Sequence, residues 1–340
     1  MNRRLLVRLA ACCACLLPGT ACLPARAATS VPEKIPGAYA QPARRVTIAP
    51  GHELNLRCTG TGLPTILLEA GSHADSSTWF RVQPLLAGFA TVCAYDRAGY
   101  GFSDAGPLPR NLDADVADLH GLIEHAAIAR PLVLVGHSLG SNIVRRYATR
   151  YPADVSALVL VDPPAQDIAA HAPDWAREES ALDAQRFAFI RRCEAAAARD
   201  GLAKPPPGLE GCIARANPMA SDAVNAATHA WKSRPAFWRT LLSELRSNVS
   251  VFGRPAATTE THGAMPLVVL SADGTYADAP EPVRDKLEAA RTATQARIVA
   301  SSSRGRLIKV THTSHDIQLD RPEVVADAVK QVLQQLSAEP

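Results

Sequence analysis

The sequence predicts an α/β fold: a mainly parallel sheet covered by helices, interrupted by a helical insertion. Three observations predict it. Short apolar runs alternate with helical patterns over residues 44–164, and the strand pattern resumes beyond residue 255. Between these stretches, residues 165–255 are rich in Ala, Arg, Glu and Trp and show helical spacing without a clear strand. Finally, Gly136-His137-Ser138-Leu139-Gly140 fits G-x-S-x-G, with a strand-like run before it and a helix-like run after it.

The chain opens like an export signal. Arg3 and Arg4 precede an apolar stretch from Leu5 to Leu23, and Ala25-Arg26-Ala27 supplies the small-x-small pattern of a cleavage site, placing cleavage after Ala27. Leu9-Ala10-Ala11-Cys12 also resembles a lipobox. The apolar run before Cys12 is short and holds Arg8, so lipid anchoring is the weaker reading. Residues 1–27 hold four Arg and no acid. Of the 36 basic residues, 32 therefore remain against 33 acidic ones, a net of −1. The formal +3 belongs mostly to the signal and does not point to a nucleic-acid partner. Beyond the signal there is no run of about 20 apolar residues, so no membrane span is expected.

Residues 28–43, with Pro32, Pro36 and Pro42, read as an extended linker. Strands are then expected at Arg45–Ala49, Glu53–Cys58, Pro64–Ala70, Ala90–Tyr95, Leu132–His137 and Ala157–Val161. Leu112, Val116, Leu119, Ile123 and Ala126 recur at the spacing of one buried helix face. After the insertion, strands are expected at Pro266–Leu270 and Leu307–Val310. A last helix opens at Asp320-Arg321-Pro322, with Val325, Val329, Val332 and Leu336 on one face. The core is thus 44–164 and 256–340, and the cap is 165–255. An insertion at that point lies over the carboxyl ends of the strands, where sites in open α/β sheets are found.

The chemistry centres on Ser138. A sharp strand-to-helix turn lifts a serine hydroxyl out of the sheet, and the flanking glycines remove side chains that would collide there. A serine nucleophile needs a base. Among the ten histidines, His315 lies after the last strand and before the last helix, in Thr311-His312-Thr313-Ser314-His315-Asp316. His312 is the close competitor, read as nearer the strand end. For the acid, Asp162 ends the strand after the nucleophile and Asp273 follows the next strand; either could face the far nitrogen of His315. Each also has a plain role as a turn residue, in Asp162-Pro163-Pro164 and in Asp273-Gly274. Oxyanion donors are expected from the backbone N–H of Leu139 and of Ser72, which follows Gly71.

Several stretches carry a resemblance: Arg57-Cys58-Thr59-Gly60, Leu68-Glu69-Ala70-Gly71, Val92-Cys93-Ala94-Tyr95-Asp96-Arg97-Ala98-Gly99-Tyr100-Gly101, Gly136–Gly140 and Leu158-Val159-Leu160-Val161-Asp162. In this order they resemble the α/β-hydrolase superfamily, specifically its bacterial members with a helical cap. The resemblance implies an eight-stranded, mostly parallel sheet and a small-molecule, ester-like substrate. Esterases, lactonases, amidases and C–C hydrolases share these motifs, so the substrate is not named by them. An inactive, ligand-binding relative would be expected only if the triad were broken. The family places its acid a residue or so beyond where Asp273 falls, and some members carry it where Asp162 stands; Asp162 is therefore put ahead of Asp273. Tyr95-Asp96-Arg97 is implied to be a structural turn beside the site.

Four cysteines remain beyond the signal: Cys58, Cys93, Cys193 and Cys212. An even number in an exported chain suggests disulfides rather than buried thiols. In the strand order that the resemblance implies, the second and fourth strands are neighbours, which pairs Cys58 with Cys93 and leaves Cys193 with Cys212 in the cap. No metal or cofactor motif stands out: there is no His-Glu-x-x-His, no pair of Cys-x-x-Cys motifs and no G-x-G-x-x-G after a first strand. Trp175, Trp231 and Trp238 fall in the insertion, as cap core or as lining of an apolar acyl pocket.

Overall fold

A computed structural model describes residues 31–202, 204–213 and 215–337; the export signal and the lipobox at Cys12 lie outside the described residues. The strands are β1 (Arg44–Ala49), β2 (His52–Thr59), β3 (Thr65–Glu69), β4 (Thr91–Tyr95), β5 (Leu132–His137), β6 (Val155–Val161), β7 (Leu267–Ala272) and β8 (Gly305–Val310). They form one sheet in the order β1-β2-β4-β3-β5-β6-β7-β8. The β1–β2 and β2–β4 pairs are antiparallel, and every pair from β4 to β8 is parallel. The helices are α1 (Val82–Ala87), α2 (Leu112–His125), α3 (Leu139–Arg150), α4 (Ile168–His171), α5 (Pro173–Asp200), α6 (Asp222–Lys232), α7 (Pro235–Phe252), α8 (Glu281–Ala300), α9 (Ile317–Asp320) and α10 (Pro322–Ser337).

The side-chain alternation of β5 shows why this sheet needs two helical layers. Leu132 and Leu134 join one apolar cluster with Val116, Leu119 and Ile123 of α2 and Ile143 and Tyr147 of α3. Val133 and Val135 point the other way, into a cluster with Val82 and Leu86 of α1 and Val325, Val329 and Val332 of α10. A strand buried on both faces reads as an unbroken apolar run, as Leu132–Val135 does. Each fully buried Val or Leu contributes about 1.5–3 kcal/mol relative to exposure. Helix α2 starts where Asn111 Oδ1 accepts the N–H of Ala114, 2.9 Å away, an N-cap that ends the preceding loop.

Helices α4 to α7 all lie between β6 and β7 in the chain. They carry their own small core, in which Trp231, Phe237, Trp238 and Leu241 pack with Tyr100 from the loop after β4. Trp231 and Trp238 are therefore packing residues. From residue 31 onward, the segment read as a linker is docked. Ile35 N–H donates to Met219 O at 2.7 Å, and Ile35 is buried with Phe80 and Val224. The segment is not wholly extended: Gly37–Ala40 form a 3-10 turn, and Ile35 and Tyr39 pack it against Phe80 and Val224.

Both cysteine pairs form disulfides. Cys58 and Cys93 stand directly opposite each other on β2 and β4, with Cα atoms 4.0 Å apart. Cys193 on α5 bonds Cys212, 19 residues later, with a Cα separation of 5.5 Å. Closing that loop is worth roughly 3 kcal/mol in the chain-entropy account. Denatured but unreduced protein, processed after Ala27, is expected to show no free thiol by titration. About four thiols would refute the pairing.

Candidate active site

The site lies just beyond the carboxyl ends of the parallel strands. Ser138 follows β5 with φ 51° and ψ −123°, in a region that non-glycine residues seldom occupy. The turn is locked from both sides. A Cβ on Gly136 would sit 2.5 Å from Gly140 O, and one on Gly140 would sit 2.5 Å from Glu69 O. Only glycine fits at either position. The Ser138 N–H donates to Val161 O at 3.0 Å, and its carbonyl accepts Ser141 N–H at 2.9 Å and Ser141 Oγ at 2.6 Å. Leu139 is the first residue of α3, so its N–H belongs to the helix end where backbone donors lack intrahelical partners. His73, Asp162 and His312 also have positive φ, of 64°, 44° and 58°. With Ser138, they put four strained residues in the loops after β3, β5, β6 and β8, a pattern associated with functional sites.

The loop after β3 lies against Ser138. A Cβ on Gly71 would come 3.2 Å from Ser138 Cβ and 2.9 Å from His137 Nδ1, so the backbone approaches closely there. Buried Arg97 pins this loop. Its guanidinium donates to Ala70 O at 2.7 Å, Gly71 O at 2.8 Å, Glu69 Oε1 at 2.9 Å and Glu244 Oε2 at 3.2 Å. Because the Gly71–Ser72 peptide is planar and trans, a carbonyl held toward Arg97 turns the Ser72 N–H away from it. Ser72 Oγ donates to Glu244, which reaches down from α7 of the cap. Burial raises the pKa of Glu69 to about 7, against the opposing pull of Arg97 and Tyr95. Asp96 accepts from Asn55 Nδ2, Ser76 N and Phe102 N at 2.8, 2.8 and 3.0 Å, and so braces the same loops.

The structure brings Asp162, not Asp273, to His315. His315 Nδ1 lies 2.7 Å from Asp162 Oδ2. Asp162 is fully buried and accepts further bonds from Ala272 N (3.1 Å), Thr275 Oγ1 (2.5 Å) and Arg291 Nη1 (2.5 Å). Burial pushes its pKa up, but the His315 hydrogen bond, the Arg291 charge and the Thr275 bond outweigh it. They hold the carboxyl below the usual carboxylate range. Asp273 is exposed, and its carboxylate accepts His312 N at 3.0 Å and Thr313 N at 3.2 Å. Those two bonds depress its pKa and make it a turn cap. His312 is exposed on that same turn.

His137, inside the G-x-S-x-G motif, ties His315 to the Ser138 turn. It is 5% exposed; its Nε2 lies 3.1 Å from His315 O, and the two ring centroids are 4.7 Å apart. Burial, and then the neighbouring His315, lower its pKa to about 4, so at neutral pH it packs as an uncharged ring. Under the cap, a cleft of about 510 Å³ is lined by Ser72 and His73 from the core and by Trp175, Phe187, Leu245 and Phe252 from the insertion. Trp175 is thus the one insertion tryptophan on the cleft. A larger hollow of about 710 Å³, beside Tyr39, Leu56 and Arg57, is lined by none of these residues. Among the described residues no group of three or more His, Cys, Asp or Glu could hold a metal ion, and no helix is long and apolar enough to cross a membrane.

The sheet order and the strand–turn–helix at Ser138 define an α/β-hydrolase fold. The chain belongs to the alpha/beta hydrolase family, whose model matches residues 62–328. It is 34% identical over 113 residues to the uncharacterised protein YqjL of Bacillus subtilis, covering 32% of this chain and 44% of that one. It is 31% identical over 120 residues to a 2-hydroxy-6-oxo-2,4-heptadienoate hydrolase of Pseudomonas putida, covering 34% and 43%. The matches thus span less than half of these relatives. Among solved structures, an esterase from Thermogutta terrifontis superposes with a TM-score of 0.54 at 20% identity, over 86% of this chain and 99% of that one. A meta-cleavage product hydrolase from Pseudomonas fluorescens gives 0.56 at 16% identity, over 87% and 98%. Likeness at these identities speaks to the fold alone.

Proposed function

We propose that the protein hydrolyses carboxylic esters through an acyl-enzyme on Ser138, with His315 as general base and Asp162 as its acid. The observation that carries this is the 2.7 Å bond from buried Asp162 to His315, at the strand edge from which Ser138 is turned outward. Ser138 Oγ attacks the ester carbonyl and its proton passes to His315 Nε2. The N–H groups of Leu139 and Ser72 hold the oxyanion. Collapse expels the alcohol, which takes the proton back from His315. Water then adds to the acyl group by the same route, and free acid leaves. Asp162 fixes the imidazole with its proton on Nδ1 and balances the imidazolium charge. The mainly apolar cleft, which meets this site through Ser72, is the seat we assign to the acyl group.

A second reading, cleavage of an amide, lactone or carbon–carbon bond by the same residues, draws on the relative named a 2-hydroxy-6-oxo-2,4-heptadienoate hydrolase. A panel of p-nitrophenyl esters of rising acyl length, beside anilide and lactone substrates, separates the two. Turnover is expected on the esters, with little on the anilides. No turnover of any ester, with cleavage of another class, would overturn the first reading. The same proposal places the mature protein outside the cytoplasm, supported by its two disulfides.

A further inference from the structure

Asp162 stands at the end of β6, yet much of what holds it comes from beyond β7. Ala272 N and Thr275 Oγ1 belong to the end of β7 and the turn after it, and Arg291 and Gln295 project from α8. The two carboxylate oxygens are divided between tasks. Oδ2 faces His315 and Thr275, and Oδ1 takes Arg291, Ala272 N and, at 3.4 Å, Gln295. Arg291 is itself only 4% exposed and held on every side. It donates to Ser271 Oγ at 3.1 Å, Ala272 O at 2.7 Å and Glu288 Oε2 at 2.5 Å. Its charge is therefore shared between a wholly buried carboxylate and the partly exposed Glu288. An arginine is costly to bury, and one turned onto an acid that already has a histidine is more than packing requires.

We infer that Arg291 is a positioning residue for the triad: it fixes the Asp162 carboxylate with Oδ2 turned to His315, and it tempers the negative charge that the imidazole feels, with Glu288 as counterweight. The inference rests on the triad proposed above. Two consequences follow. Without Arg291, Asp162 loses the donor that fixes Oδ1 and can rotate, which misaligns His315. A misplacement on the order of 1 Å costs about 100-fold in rate. Removing a positive charge beside the Asp162–imidazole pair also makes the pair easier to protonate, so the acid-side loss of activity already sets in at a higher pH. The other charged or titratable groups facing the pair are His137, Asp316, Tyr276 and Glu288, and none of them is altered in Arg291→Gln.

The test compares Arg291→Gln, Arg291→Lys and Glu288→Gln with the wild type on one p-nitrophenyl ester, with active sites counted by fluorophosphonate titration so that misfolded protein is not scored. Arg291→Gln is expected to lose about 10- to 100-fold in kcat with KM within about twofold. Its acid-side fall in kcat/KM should move up by about one pH unit. Arg291→Lys should recover part of both. Glu288→Gln should shift the acid side slightly downward, opposite in sign to Arg291→Gln. In an Asp162→Asn background, Arg291→Gln should cost little more, because its effect runs through that carboxylate. Unchanged kcat per titrated site and an unmoved pH profile in Arg291→Gln, with only a lower Tm, would overturn the inference and leave Arg291 a brace between α8 and β7. Ser138→Ala is the control: turnover surviving in it refutes the triad itself, whereas its loss beside a fully active Arg291→Gln refutes this inference alone.

Discussion

Ser138→Ala is expected to abolish turnover, lowering kcat by about 10⁵-fold or more, while the protein stays folded. The turn should survive because its contacts run through the backbone. Ser138 donates its N–H to Val161 and accepts two bonds from Ser141 on its carbonyl, and alanine keeps both groups. Alanine is also no worse than serine at φ 51°. What disappears is the oxygen that forms the acyl bond, and no neighbouring group can supply it. A fluorophosphonate probe should label the wild type once per chain, at Ser138, and should not label the variant. Circular dichroism and Tm should be near those of the wild type. Full activity in a folded alanine variant, or a label mapped to another serine, would dismiss Ser138 as nucleophile and with it the acyl-enzyme route.

The Ser138 turn was legible because it is local. Strand, glycine, serine, glycine and helix follow one another within twenty residues of chain, and each has a backbone reason. The sheet was legible for the same cause: a strand buried on both faces needs an apolar run, and β5 and β6 supply nearly pure ones. The family resemblance supplied the strand order, and with it the Cys58–Cys93 pairing across β2 and β4. What the sequence did not show depends on side chains that meet across more than a hundred residues. Nothing around Arg291 marks it as a partner of Asp162, 129 positions away, and helical spacing alone would leave it on a solvated face. Arg97 stood inside a motif read as a turn. Its grip on the carbonyls of Ala70 and Gly71 needed the fold to be seen. His137 was hidden by its place in the motif, where a variable position carries no signal. Trp175 and Trp231 had the same claim to the cleft, and only packing separated them.

Asp162→Asn is expected to cost about 10³- to 10⁴-fold in kcat/KM, against no more than about threefold for Asp273→Asn. The reason is tautomeric as well as electrostatic. Asp162 accepts the Nδ1 proton of His315, which leaves Nε2 with a lone pair for the serine proton. An asparagine amide can turn its NH₂ toward Nδ1, which moves the ring proton to Nε2 and removes the base. It also lacks the charge that stabilises the imidazolium. The native carboxyl lies below the usual carboxylate range, because the bond from His315 and the Arg291 charge outweigh burial. Its folded value is thus below its unfolded one, so its contribution to stability is full above about pH 4 and is lost only as the pH falls further. It is therefore ionised at neutral pH, and the charge lost in the variant is one the enzyme has there. Asp273 differs in each respect. It is exposed, its bonds go to the N–H groups of His312 and Thr313, and an asparagine oxygen can still accept one of them. Its loss loosens the turn that leads to His315 without touching the ring. Steady-state kinetics of the two variants, with sites counted by titration, decide the matter. If Asp273→Asn proved the more damaging, the acid would be reassigned to Asp273, and the 2.7 Å contact would be a structural bond.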